Sequence, residues 1–301
     1  MTKVLVIGGP TAIGKSDFAV ECALRFNGEI INGDSQQVYR ELSIGNAKIS
    51  PADQRGVKHH LLDIVPYHEN YDVARFQREC RAAIADIAGR GKLPIVCGGT
   101  GHYLKAALYD YDFPAEQITI DDPIEHSNQQ LHDQLRAIDP RSADTIHPNN
   151  RKRVLRALAM AQSGTLKSDR LAAQQGHPIV DLQVIVLDTD RNVLAQRIQQ
   201  RIDKMMAMGL EDEVRTFFST SEAQSYHAFL GIGYKEFKDY LSGDISLDDV
   251  KHALIVHTRQ YARRQLTWFR HQFDALWIDP LDPHANKRAF MAIEAWIKEK
   301  P

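Results

Sequence analysis

Gly9-Pro10-Thr11-Ala12-Ile13-Gly14-Lys15-Ser16 fills every fixed position of the phosphate-loop pattern G-x-x-x-x-G-K-[ST]. Glycines there let successive backbone N–H groups curl around one anion at the positive end of a helix. Lys15 adds a point charge at the terminal phosphate, and the Ser16 hydroxyl is placed to ligate Mg²⁺. A second chemical position is Asp34, in Asp34-Ser35-Gln36-Gln37. A carboxylate at a strand end either holds a metal through water, accepts a proton from a substrate, or simply caps a helix. The two glutamines tilt the balance away from metal work, because neutral amides read base edges. A third position is Gly98-Gly99-Thr100-Gly101, where a nucleotide hydrolase often carries a second, metal-holding acid and this chain has none. Its glycines would let a substrate backbone come close; the plainer alternative is a tight turn with Thr100 as a helix cap.

Basic residues gather in three places. Arg151, Lys152 and Arg156 fit one helical face that leaves Arg153 out, and Arg197 and Arg201 are one helical turn apart. Arg259, Arg263, Arg264 and Arg270 are interleaved with Tyr261, Trp268 and Phe269. Each cluster alone reads as a solvated face, but three on a chain of net charge −2 suggest a polyphosphate track with stacking surfaces. Thirteen histidines show no metal-binding spacing, and the adjacent His59 and His60 would point to opposite sides of a strand.

The elements that must carry these groups alternate. Lys3–Ile7, Glu29–Asn32, His60–Val65 and Leu93–Cys97 read as strands, with helical periodicity after Ser16, from Tyr71 to Gly89, and from Tyr103. That alternation predicts a parallel α/β sheet of the P-loop type, with the three glycine- or acid-bearing loops converging at the carboxyl ends of the strands. Residues 1–113 form the first part of this core. Residues 114–180 are polar and helix-like, with proline breaks, and read as a small helical insertion. Residues 181–301 return with a strand at Leu182–Asp188 and continue as helix.

With 301 residues and 43% apolar content, the chain can bury a large core. Cys22, Cys80 and Cys97 are too scattered for a disulfide framework or a zinc site. The N-terminus enters the first strand without a targeting segment, and no apolar run is of membrane-spanning length, so a cytoplasmic location without membrane contact is expected.

Taken together, the motifs closely resemble one family, the bacterial tRNA dimethylallyltransferases (tRNA isopentenyltransferases). The resemblance rests on Gly9–Ser16, Asp34–Tyr39, Gly98–Leu104, His147–Asn150, Met208–Val214, Gly231–Phe237 and Thr258–Phe269, in that order along the chain. It implies transfer of a dimethylallyl group from its diphosphate to the exocyclic amine of the adenosine 3′ of the anticodon, with Mg²⁺ as cofactor. It assigns the phosphate loop to the isoprenoid diphosphate, Asp34 to the general base, Thr100 to an adenosine contact, and Arg201, or else Arg197, to the diphosphate. It places tRNA on Asp34, Ser35, Gln36, Gln37 and Thr100, on Arg151, Lys152 and Arg156, and on Arg263, Arg264 and Arg270. The simplest assembly is a monomer. Two departures stand out: the stretch between Pro114 and His147 is short and poor in basic residues, and Asn46 stands where threonine is common. The rivals are a small-molecule P-loop kinase, an isopentenyltransferase acting on free adenine nucleotides, and a non-catalytic RNA-binding protein.

Overall fold

A computed structural model describes residues 1–113, 122–173 and 176–299. The first half of the core runs β1 (Lys3–Gly8), α1 (Lys15–Arg25), β2 (Gly28–Asn32), β3 (His59–His60), α2 (Val73–Gly89), β4 (Leu93–Cys97) and α3 (Gly101–Leu108). A helical segment follows, with α4 (Asn128–Ile138), α5 (Pro140–Thr145), α6 (Arg151–Gln162) and α7 (Lys167–Ala173). The chain then continues through β5 (Asp181–Leu187), α8 (Arg191–Ala207), α9 (Leu210–Phe218), α10 (Lys238–Leu241), α11 (Leu247–Gln272), β6 (Leu276–Ile278) and α12 (Ala285–Lys298).

The six strands form one sheet in the order β3-β2-β4-β1-β5-β6, every pair parallel. A parallel sheet is covered on both faces, so its strands read as unbroken apolar runs rather than alternating ones. Val4, Leu5, Val6 and Ile7 of β1 are accordingly all fully buried. The order places β1 between β4 and β5, with β2 beyond β4, so the loops after β1, β2 and β4 lie side by side. Pairing continues past the strand ends: the Gly33 N–H donates to the Cys97 carbonyl at 2.7 Å, and the Gly98 N–H to the Ile7 carbonyl at 3.1 Å.

Two compact units result, Met1–Tyr109 with Pro178–Pro301, and Asp110–His177. The sequence reading set the insertion at 114–180; residues 110–113 already belong to the smaller unit, and residues 178–180 belong to the core. Pro178 bridges Tyr109, and Val180 is buried in the main core ahead of β5. The smaller unit has its own core of Leu131, Leu135, Ala143, Ile146, Val154, Leu155, Ala157 and Leu158. Its first helix opens on a Ser127–Gln130 capping box.

Two element expectations need correction. The strand read at His60–Val65 shrinks to β3, because Leu61 and Asp63 take positive φ (57° each) and turn the chain away; Val65 keeps only a bridge to Tyr39. The region after Arg191, read as mainly helical, also contains β6. Three residues on a sheet edge are too few to show a period.

Candidate active site

The phosphate loop folds as its residue types demand. Gly14 caps α1 at φ 100°, and an added Cβ there would meet nothing within 4 Å, so glycine is required by the backbone angle alone. Ala12 also sits at positive φ (65°), a strained position of the kind that clusters at functional sites. Thr11, Ala12, Ile13, Gly14, Lys15 and Ser16 line a cavity of about 640 Å³, shared with Asp17, Asp34, Gln37, Asn46, Arg197, Arg201 and Lys204. Gly9 and Pro10 are buried behind it. The Lys15 ammonium donates to the Pro10 carbonyl at 2.7 Å. Burial, assisted by the neighbouring Arg201 charge and opposed by Cys97 and Asp34, pulls its pKa down to about 8.

Helix α8 adds further cations to this cavity beside Lys15. Arg201 donates to the Thr11 hydroxyl at 3.1 Å and to the Ala47 carbonyl at 3.3 Å; Arg197 donates to the Ile13 carbonyl at 3.0 Å. Arg197 therefore braces the loop at Ile13, whereas Arg201, which also lines the second cavity, reaches it at Thr11. Lys204 extends the same row by three residues; the Arg197–Arg201 spacing carried that signal, and sequence reasoning stopped one turn short of it.

Asp34 lies where β2 ends. It is not a helix cap: its Oδ1 accepts from the Gln36 N–H at 2.9 Å, and its own N–H donates to Asn32 Oδ1 at 3.0 Å. Thr100 occupies the N-cap position of α3 without a capping bond. Its hydroxyl instead accepts from the Ser35 N–H at 3.2 Å, which ties the β4 loop to the β2 loop. Tyr261 of α11 lies beside Thr100 and Gln265, and burial raises its pKa to about 12.

A second cavity, of about 320 Å³, adjoins the first. Thr11, Asp34, Asn46, Ala47, Arg201 and Tyr261 line both. Ile198, Ile202, Met205 and Leu254 give the second cavity an apolar side. Gln36 Oε1 and Asn46 Oδ1, from residues lining it, are buried acceptors with no hydrogen-bond partner among the described residues. Asn46, the departure from threonine, uses its amide N–H₂ to hold the Gln36 and Leu42 carbonyls at 2.8 and 3.0 Å.

Several expectations are overturned. The glycines of Gly98–Gly101 do not make room for a substrate. An added Cβ would lie 2.3 Å from the Gly33 backbone at Gly98, 2.1 Å from Gln265 at Gly99 and 2.1 Å from the Trp268 ring at Gly101, so the protein itself fills that space. Phe269 is fully buried core rather than a stacking platform, and Trp268 is half-buried, packed against that core. Gln265, which received no role from sequence, is the joint of the site. Its Oε1 accepts from the Thr11 N–H and its Nε2 donates to the Gly99 carbonyl, both at 2.9 Å. A lone glutamine in a helix carries no signal for such a task.

The basic clusters divide. Arg264 lies over the Tyr261 ring and lines the smaller cavity. Arg259, Arg263 and Arg270 line a separate groove with Arg191, and Arg270 is paired with Asp188 at 3.0 Å. In the smaller unit Arg151 is taken up by Asp122, by the Pro123 and His126 carbonyls and by Asn128. Lys152, Arg153 and Arg156 are the exposed set on that helix, so the face read from sequence was rotated by one position. Among the described residues no group of three or more His, Cys, Asp or Glu side chains could hold a metal ion. No helix among them is long and apolar enough to cross a membrane.

Fold and site together define a P-loop α/β protein in which a cavity walled by the phosphate loop adjoins a second cavity, with Asp34 lining both. The chain matches the family model for IPP transferase over residues 37–272, and that for isopentenyl transferase over residues 2–71. It is 45% identical over 288 residues to a tRNA dimethylallyltransferase of Exiguobacterium sp. (92% of this chain, 90% of the relative). It is 44% identical over 289 residues to that of Geobacillus thermodenitrificans (93% and 91%). Among solved structures it resembles a tRNA isopentenylpyrophosphate transferase of Staphylococcus epidermidis, with TM-score 0.74, 35% identity and coverage of 98% and 99%. It also resembles a eukaryotic dimethylallyltransferase acting on tRNA, with TM-score 0.86, 30% identity and coverage of 100% and 81%. The chain belongs to the tRNA dimethylallyltransferase (IPP transferase) family.

Proposed function

We propose that the protein transfers a dimethylallyl group from dimethylallyl diphosphate to the exocyclic amine of the adenosine 3′ of the anticodon in tRNA. The observation that carries this reading is the joining of two cavities through Asp34, Arg201 and Tyr261, one walled by the phosphate loop and the other by unpartnered amide acceptors. Here a cavity walled by the phosphate loop meets a site suited to a base, and Gly98-Gly99-Thr100 lacks the second, metal-holding acid a kinase would often carry there.

In the reaction the allylic C–O bond breaks, the amine nitrogen forms the new N–C bond, and diphosphate leaves. Charge develops on the departing oxygens, where the loop N–H groups, Lys15 and Arg201 are aimed. Asp34 orients the amine and accepts the proton that it loses as the bond forms. Thr100, tied to Ser35, supports the acceptor side, with Ser35 and Gln36 around the base and Gln37 on the phosphate side. The donor set suits Mg²⁺ shared with the diphosphate: the exposed Ser16 hydroxyl lines the phosphate cavity, and no carboxylate cage surrounds it among the described residues. When bound there, Mg²⁺ would neutralise charge on the leaving group. The target adenosine must leave its stack, at a cost of roughly a few kcal/mol, which phosphate contacts by Lys152, Arg156, Arg263 and Arg264 would help to offset. Arg151 and Arg270, with partners of their own, are assigned lesser parts.

The test is incubation with dimethylallyl diphosphate and either bulk tRNA or AMP, followed by mass analysis of the nucleosides. Prenylated adenosine from tRNA alone is the expected result. Product from AMP alone, or phosphate transfer from ATP, would replace this reading.

A further inference from the structure

Two of the motifs, Met208–Val214 and Gly231–Phe237, have no part in the mechanism above, yet the fold brings them to one point. Helix α9 begins with Glu211, Asp212 and Glu213, which by position are ordinary first-turn acids complementing a helix dipole. Their surroundings differ. Glu211 pairs with Arg215 and accepts from the Tyr240 hydroxyl. Glu213 turns toward the loop after Leu42. Its Oε2 accepts from the Ser43 and Ile44 N–H groups at 2.8 and 2.9 Å, and its Oε1 from the Gly45 N–H at 2.9 Å and the Tyr234 hydroxyl at 2.8 Å. Three consecutive backbone N–H groups around one carboxylate form an anion nest, here filled by the protein itself. Packing closes it, since a Cβ on Gly45 would lie 2.3 Å from the Tyr234 ring, and one on Gly233 2.6 Å from the Gly45 carbonyl.

What this anchor holds is the wall of the smaller cavity. Immediately after the nest come Asn46, which grips the Gln36 carbonyl and accepts from the Gln37 amide through its own carbonyl, and Ala47, whose carbonyl receives Arg201. We propose that Glu213, with Tyr234, is a positioning residue for the transfer reaction, fixing Ser43–Gly45 so that Asn46 and Gln36 meet the acceptor base in register. The inference rests on the reading that Asp34–Gln37 faces the tRNA adenosine.

Replacing Glu213 with Gln keeps size and shape but offers one acceptor oxygen for four donors. Glu213→Gln should raise KM for tRNA by about tenfold or more and lower kcat, as expected for loss of charge-assisted bonds and of alignment. Affinity for dimethylallyl diphosphate, measured by calorimetry, should change by less than about threefold, because the phosphate loop has its own N–H groups. Amide hydrogen exchange at Ser43–Gly45 should accelerate while that of β1 and β4 does not. Unchanged tRNA KM and kcat would overturn the proposal, whether or not exchange accelerates, and so would a loss of donor binding equal to that of tRNA. Should the variant fail to fold, Tyr234→Phe carries the test. It removes one bond to the same carboxylate and should raise tRNA KM by about two- to threefold, with faster exchange at Gly45; wild-type values for both would overturn the proposal. Asp34→Asn in the same assay reports the underlying reading separately: a fully active variant would remove Asp34 from the reaction without touching the exchange result.

Discussion

The two walls of the crevice are built in opposite ways. The phosphate-loop wall is eight consecutive residues between one strand and one helix, held by backbone geometry at Gly14 and braced by Arg197 and Gln265. The facing wall is assembled from the loop after β2, α8, the turns around Gly231–Lys235 and the middle of α11. A local wall recognises through its own N–H groups and tolerates change around it. An assembled wall depends on each anchor that aligns its pieces. Catalysis needs both, because the leaving group and the accepting amine must be aligned within a fraction of an ångström.

The sharpest test of this contrast is Asp34→Ala. It removes the carboxylate from the assembled wall and leaves the loop untouched, so turnover should fall by roughly a hundredfold or more, as for loss of a general base. Binding of dimethylallyl diphosphate should stay near the wild-type value. Single-turnover kinetics together with calorimetry separate the two, and wild-type turnover would reduce Asp34 to a turn residue.

The local wall has its own signature in pH. Lys15→Ala should weaken the prenyl diphosphate by about tenfold or more while tRNA affinity holds, with ATP a poor competitor for the intact protein. Because burial lowers the Lys15 pKa to about 8 in the free crevice, its charge is lost as pH rises through that value. Donor affinity should therefore be flat between about pH 7 and 8, above the last ionisation of the phosphate itself, and decline at higher pH by up to about tenfold per unit. Lys15→Arg, charged throughout this range, should remove the decline even if it binds the donor less well. A bend that persists in that variant would assign the titration to another group.

Legibility in the sequence follows the same division. Gly9–Ser16 and the strand ahead of it could be read because their chemistry is contiguous, and the resemblance then supplied roles for Asp34 and Arg201. Gln265 and Glu213 could not be read, since each acts on backbone groups of a loop about 170 residues or more distant in the chain. Nothing in a helix sequence reports such a contact. The glycines at 98–101 are visible as a cluster, and of their two readings the tight turn holds, since their empty side-chain space is occupied by Gln265, Trp268 and Gly33 rather than by substrate. Phe269, taken as part of a stacking surface, was ordinary core at helical spacing. The short strands β3 and β6 fell below the length at which periodicity speaks.

Gln265 belongs to both walls, which makes it the residue that most directly joins them. Gln265→Leu would leave the Thr11 N–H and the Gly99 carbonyl without this partner in a buried setting, at about 1–3 kcal/mol for each group that finds no replacement. The expected result is a lowered Tm, with KM for the prenyl donor and for tRNA both rising by a few fold. A change in only one KM would show that the helix supports one wall and merely contacts the other.

The smallest effects should come from the arginines of α11, and their ranking follows from where each points. Arg264 lines the smaller cavity against Tyr261, whereas Arg263 lies one position on around the helix, in the outer groove with Arg259 and Arg191. Neighbouring residues on a helix are about 100° apart, so a double substitution of Arg263 and Arg264 mixes two surfaces. Tested singly, Arg264→Ala should raise tRNA KM the most, and Arg263→Ala less. Each should reduce the log–log salt slope of tRNA binding by roughly one for every phosphate contact removed. Arg270 already faces Asp188 at 3.0 Å and lies over the Trp277 ring. Its charge is largely answered within the protein, so Arg270→Ala should change tRNA KM by less than about twofold and the slope by less than one. Salt titrations of tRNA binding for the three variants decide the order. A slope change for Arg270 equal to that for Arg264 would mean that the Asp188 pair opens to admit a phosphate, and that the outer groove belongs to the assembled wall.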